Sequence, residues 1–123
     1  MEFLLGLCVG FATFKIKHSY QVSKILKAQS LKIWEAMITK NTSLFKHLIY
    51  LYPQAINHRL NNSTCLMKAI VNNDKEFVDI LLDHPYINLK IEDKNGRDAI
   101  YYVNEFCKNE ALKNHIINVY FRK

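Results

Sequence analysis

The stretch from Asn62 to Pro85, NSTCLMKAIVNNDKEFVDILLDHP, constrains this chain most, because it reads as two short amphipathic helices placed back to back. Leu66, Ala69 and Ile70 recur at helical spacing in its first half, and Phe77, Ile80, Leu81 and Leu82 in its second. Between them stands Asn72-Asn73-Asp74, residues whose short polar side chains compete with helical hydrogen bonding. Asp74 is expected to cap the second helix by accepting its free backbone N–H groups, and Pro85 to end it. A lone helical hairpin cannot bury its apolar faces, so the pattern demands further copies.

Copies flank it on both sides. Downstream, the run from Asn95 to Val103 repeats the register of Ser63 to Ala69, and Ile100 stands 34 residues after Leu66. Upstream, Ile33-Trp34-Glu35-Ala36 mirrors Leu66-Met67-Lys68-Ala69, and Phe45 to Pro53 matches Phe77 to Pro85 in length and apolar positions. A shared spine from Ile33 through Leu66 to Ile100 is expected. The unit resembles the ankyrin repeat, whose period is about 33 residues with two short helices each. Thr64-Cys65-Leu66-Met67-Lys68-Ala69 is similar to the family's T-P-L-H-x-A, and Asp93 to Ile100 to its D-x-x-G-x-T-P-L. Cys65 and Ala99 replace the proline, Met67, Tyr101 and Trp34 the histidine, and of three glycine positions only Gly96 is kept. The resemblance implies an all-α stack of helical hairpins over residues 30–123, with units at about 30–61, 62–95 and 96–123. Ser30 would cap the first helix, with Ile33, Trp34, Met37 and Ile38 on its apolar face. Leu44, Phe45, Leu48, Ile49 and Leu51 would point inward from the second helix, and a last helix from Glu110 to Phe121 would cap the stack.

The family's mode of recognition, carried onto this chain, places Glu35, Lys68 and Tyr102 in one partner-facing row. It also places His58, Arg59 and Leu60, and Lys90, Ile91 and Glu92, on two projecting loops.

Residues 1–29 form a separate segment. From Phe3 to Phe14 the run carries no charge, and Lys15-Ile16-Lys17 follow at once. A secretory signal wants positive charge before such a run, and here the side-chain charge before it is Glu2. As a helix the run rises about 18 Å, short of a hydrocarbon core of about 30 Å. Snorkelling lysines would extend it across residues 1–22 as a transmembrane anchor formed by Phe3, Leu4, Leu5, Leu7, Val9, Phe11 and Phe14 in contact with lipid. The competing reading is an apolar helix held in a partner's groove, with Gly6 and Gly10 allowing close approach. Residues 19–29, with Lys24 and Lys27, read as a basic amphipathic linker.

The net charge of +6 invites a nucleic-acid reading, and its distribution argues against one. Residues 1–32 carry +4, whereas residues 33–123 hold 12 basic and 10 acidic side chains, and lysine outnumbers arginine 14 to 3. No basic face for phosphates is implied. Cys8, Cys65 and Cys107 lie in separate elements and read as reduced, small hydrophobes. The histidines form no H-x-x-x-H pair, and no G-x-S-x-G, Walker or G-x-G-x-x-G motif occurs. Asp79 and Asp83, or Cys107 with His115, are too sparse for a centre, so no enzyme activity, metal or cofactor is expected. The function expected from all this is structural. The chain reads as an accessory subunit of a membrane complex, with a mitochondrial inner-membrane respiratory complex and a matrix-side repeat domain as its setting. The alternative is a soluble adaptor binding one protein partner.

Overall fold

The computed structural model describes residues 21–122. Of the expected anchor, residues 1–22, residues 1–20 lie outside the described residues. Helix α1 covers residues 21–38. It is followed by α2 (Thr42–Leu51), a 3-10 turn (Pro53–Asn57), α3 (Cys65–Val71), α4 (Lys75–Leu82), α5 (Ala99–Phe106) and α6 (Glu110–Arg122). The architecture is all-helical, three antiparallel pairs in a row with two long connections between them. Among the described residues no helix is long and apolar enough to cross a membrane.

Helices α2, α3, α5 and α6 start where a short polar side chain can hold their first N–H groups. Asn41 accepts from the Leu44 amide at 3.2 Å, Thr64 from Met67 at 3.2 Å, Asp98 from Ile100 at 3.1 Å, and Asn109 from Ala111 at 3.0 Å. Two expected caps fail. Ser30 sits inside α1 and is buried, because the helix runs through from residue 21 without a break. Asp74 makes no side-chain bond to its own helix; its carboxylate pairs instead with Lys40 of the preceding unit. That pairing carries Asp74 across the repeat boundary, where Thr42 also donates to Glu76 at 3.1 Å.

The turn between the helices of a pair uses a left-handed residue, Lys40 (φ 60°) in the first unit and Asn73 (φ 53°) in the second. The two turns set the register of the second helices that follow them. Phe45 therefore holds the position equivalent to Val78 in the next unit, one residue away from the expected match with Phe77. Phe45 and Phe77 instead touch, edge to face, with ring centroids 4.8 Å apart. Sequence alone favoured the wrong register, since Phe77 matches Phe45 in type and Val78 does not.

One core runs through the stack, with Ile33, Met37, Phe45, Leu66, Ile70, Phe77, Leu81, Val103 and Ile116 all buried. The spine departs from expectation at its end, because Ile100 is only half-buried and Ala99 and Val103 take the inner positions of α5. Leu44, Leu51 and Ile38, expected inward, are exposed.

Candidate functional site: the first-helix face and the two fingers

The two connections project as fingers and close by different chemistry. In the first, Leu60 and Ser63 exchange backbone hydrogen bonds of 2.8 and 3.0 Å around Asn61 and Asn62, which hold φ of 51° and 69°. Both lie in the left-handed region, which asparagine tolerates better than most residues and which favours this tight hairpin turn. Asn62 stands one repeat before Gly96, which has φ 75°. Asparagine thus supplies the conformation where glycine is missing.

The second finger is closed by a buried carboxylate. Asp93 accepts from the Asn95 and Arg97 amides at 2.8 and 3.0 Å, from Arg97 Nε at 2.8 Å and from the Tyr102 hydroxyl at 2.6 Å. Burial pushes the Asp93 carboxyl up, but the bonds from Tyr102, the two backbone amides and the Arg97 guanidinium outweigh it and hold the group well below the usual carboxylate range. The Arg97 guanidinium lies over the Tyr101 ring at 5.1 Å. Burial, together with the Asp93 bond and charge, pushes the Tyr102 hydroxyl up.

A ladder joins the fingers. Asn57 donates to the Tyr86 carbonyl at 2.7 Å and accepts from the Asn88 amide at 2.9 Å; Arg59 donates to the Glu92 carbonyl at 3.0 Å; Asn62 accepts from the Lys94 amide at 2.5 Å. These rungs tie the two fingers together. At the base, His84 Nδ1 accepts from the Tyr86 amide at 3.1 Å, which leaves Nε2 to donate to the Ile49 carbonyl at 3.0 Å.

Of the residues expected to face a partner, Glu35 is exposed and Lys68 half-buried, one on each of two successive first helices. Tyr102 is not on that surface. It is 8 % exposed, since its hydroxyl serves Asp93 and its ring stacks on Phe106 at 5.8 Å. Tyr101, read as the histidine substitute, is the outward member of the pair. Arg59 and Glu92 are exposed and already joined to each other, and Lys90 is exposed with its ammonium over the Tyr120 ring at 5.4 Å. Ile91 and His58 are half-buried, and Leu60 is buried beneath the turn. Burial, then Arg59, then Lys27 pull the His58 pKa down.

Sequence reasoning missed two residues. Ile38 is 62 % and Val71 36 % exposed, one turn beyond Glu35 and Lys68 respectively and at the same place in successive repeats. The spacing was visible, but an aliphatic at helical spacing reads as core. A groove of about 370 Å³ lies between α2 and α4, with Ile49, Tyr50, Pro53, Ile80, Pro85 and Tyr86 as its apolar lining and Lys46, Asp83 and His84 beside them. Cys65, buried with its thiol pushed up to about 12 by that burial, lies 3.5 Å from Met37 Sδ and packs as an apolar group. Among the described residues no three of His, Cys, Asp and Glu converge as metal ligands would.

Paired helices in file, joined by hydrogen-bonded fingers, define a helical-repeat scaffold whose working part is its surface. A family model of ankyrin repeats in three copies matches residues 33–114, more than half of the chain, and the chain belongs to the ankyrin-repeat family. Ankyrin repeats make this a protein–protein interaction module. No curated protein and no solved structure matches the chain.

Proposed function

We propose that the protein is a non-catalytic module that holds one protein partner across the exposed face of its first helices. The observation that carries this is the repeated pair Glu35 with Ile38 and Lys68 with Val71, a charge and an exposed aliphatic set one turn apart and renewed from one repeat to the next. Adjacent packed helices lie about 8–10 Å apart. The face therefore suits a helical partner segment that offers apolar side chains at roughly that interval, two turns apart. Glu35 favours a basic residue beside the first and Lys68 an acidic residue beside the second. A photo-crosslinking amino acid tests this when placed at position 38 or 71 of the full chain in its native cell. Adducts with one protein from both positions, and none from position 50 on α2, are expected. Adducts from position 50 alone contradict the reading.

The finer reading, an accessory subunit of a membrane complex such as a respiratory complex of the mitochondrial inner membrane, is supported by the sequence of residues 1–22. It requires residues 3–14 to enter lipid. Resistance of the full-length protein to alkaline carbonate extraction is its expected result, and free release contradicts it.

A further inference from the structure

The two ends of the stack are built differently. Register between units can be read from the helix starts: Phe45, Val78 and Lys113 each donate their amide to the carbonyl of the residue just before their own helix, at Asn41, Asp74 and Asn109, and Lys68 and Tyr102 do so to Thr64 and Asp98. The first unit turns Met37 and Phe45 toward the second, where they meet Cys65 and Phe77. The second unit repeats that pair as Ile70 and Val78, both buried. In the third the same positions hold Asn104, exposed, and Lys113, half-buried. Tyr120 closes that end, its hydroxyl donating to Asp98 at 2.7 Å and its ring under the Lys90 ammonium, and Phe121 is the one large apolar side chain of α6 left in water. The last unit is thus finished largely in polar groups, as a capping repeat should be.

The opposite end is not. Cys65 and Phe77 are buried against the first unit, and Ala69 and Leu81, one turn on from each, are buried beside them. One repeat earlier these positions hold Lys32, Ala36, Leu44 and Leu48, which with Glu35 and Thr39 line an open groove of about 230 Å³. Leu44 is 43 % exposed where its counterpart Phe77 is 1 % exposed. Ile25, two turns before Lys32, and Leu51, two turns beyond Leu44, continue the same side and are exposed too. No described unit covers this face.

We infer that this face pairs with the same face of a second copy about a two-fold axis, making a dimer that closes on itself. Head-to-tail stacking would set the apolar face on the polar end of the next copy. An isologous contact covers it on both copies at once and stops at two. The charges agree. Lys32 and Glu35 stand one turn apart on α1 at the edge of the groove, so two α1 helices crossing antiparallel bring each Lys32 to the Glu35 of the other copy and make the ion pair twice. Within one copy the Lys32 ammonium lies 6.0 Å over the Tyr52 ring, which leaves its N–H donors for a facing carboxylate. Size sets the strength. With α1 about 27 Å long, α2 about 15 Å and the pair about 10 Å apart, the face offers on the order of 400 Å², half of the roughly 800 Å² that a stable complex buries on each side. The dimer is therefore reversible, forming at roughly 10–100 μM. This inference goes beyond the partner reading and does not rest on it. Ile38 lies about 120° around α1 from Lys32, with Glu35 at the border between the two faces.

Sedimentation equilibrium of the full-length chain tests it, in a mild nonionic detergent just above its critical micelle concentration and at loadings on both sides of that range. Circular dichroism checks the helix content of every variant. The parent should pass from one copy to two and stop there. Leu44→Glu and Leu51→Glu alter exposed side chains, so both should fold, and each should weaken the dimer by about tenfold or more. Lys32→Glu should weaken it about fivefold, and adding Glu35→Lys should return the affinity to within about twofold of the parent, because exchanging both charges restores both pairs. Tyr50→Glu, on the other side of α2, should leave the dimer unchanged. Four results would each overturn the inference: a single copy at every loading, a dimer that both leucine variants leave intact, masses that climb past two copies, or no recovery when Glu35→Lys is added. None of them touches the crosslinks expected from positions 38 and 71.

Discussion

Asp93 shows how one side chain sets both the shape of a finger and its response to acid. Its carboxylate takes four hydrogen bonds, so the group is held charged within a buried site. A carboxyl whose pKa is lower folded than unfolded contributes stability that is complete above its unfolded value, about 3.9, and is lost as pH falls through the folded value. Acid titration of the thermal midpoint should therefore show a decline below about pH 4 that Asp93→Asn flattens. A decline of the same size in Asp93→Asn would place its origin in other carboxylates. Tyr102→Phe leaves the ring and removes one donor to a charged acceptor, so urea unfolding should find it about 2 kcal/mol less stable. Tyr101→Phe, with the neighbouring exposed ring, should stay within about 0.5 kcal/mol. These two tyrosines mark where sequence reading ran out. Period assigns Tyr102 to the partner row, while the bond that draws it inward comes from Asp93 on the preceding loop, and no periodicity reports such a partner.

At the level of elements, the hairpin and its recurrence were legible because the apolar spacing and the Asn-rich breaks agree. The boundaries followed wherever a capping side chain kept an oxygen for its own helix, as Asp98 does with Oδ1 while its Oδ2 accepts from the Tyr120 hydroxyl. Asn41, Thr64, Asp98 and Asn109 cap as their types suggest, while Asp74 is taken by Lys40 from the neighbouring unit, a tertiary contact outranking a local one. The offset between Phe45 and Phe77 has the same character. Two aromatics near one period look equivalent in sequence, yet they are the two sides of one interface. Truncation should expose that. Phe77→Ala opens a cavity between units and should cost about 3–5 kcal/mol, a large share of the roughly 5–15 kcal/mol that a small domain has. Tyr50→Ala, removing a side chain 80 % exposed on the same kind of helix, should change stability by no more than about 0.5 kcal/mol. Calorimetry or urea unfolding of both variants measures the contrast, and equal effects would mean that Phe77 does not face the first unit.

For the whole molecule, the division of labour follows from where polar groups find partners. Asn57, Arg59 and Asn62 hold the two fingers together and Asp93 closes the second, so their tips offer a partner less than their sequence promised. The first-helix face keeps Glu35, Ile38 and Val71 outward, which is why the proposed partner face lies there. The family and the all-helical stack could be read from Thr64 to Ala69 and from Asp93 to Ile100 without coordinates. The exposed aliphatics could not, because an isoleucine in a helical pattern is inward by default and only the neighbouring unit decides otherwise. The most direct measurement compares proteins retained by the immobilised full-length chain, by the double variant Ile38→Asp with Val71→Asp, and by Tyr50→Asp with Tyr86→Asp, each with its thermal midpoint checked. Loss of the partner from the first variant alone, with both variants as stable as the parent, is the predicted result. Retention by the first and loss from the second would move recognition to the groove between α2 and α4 and contradict the account.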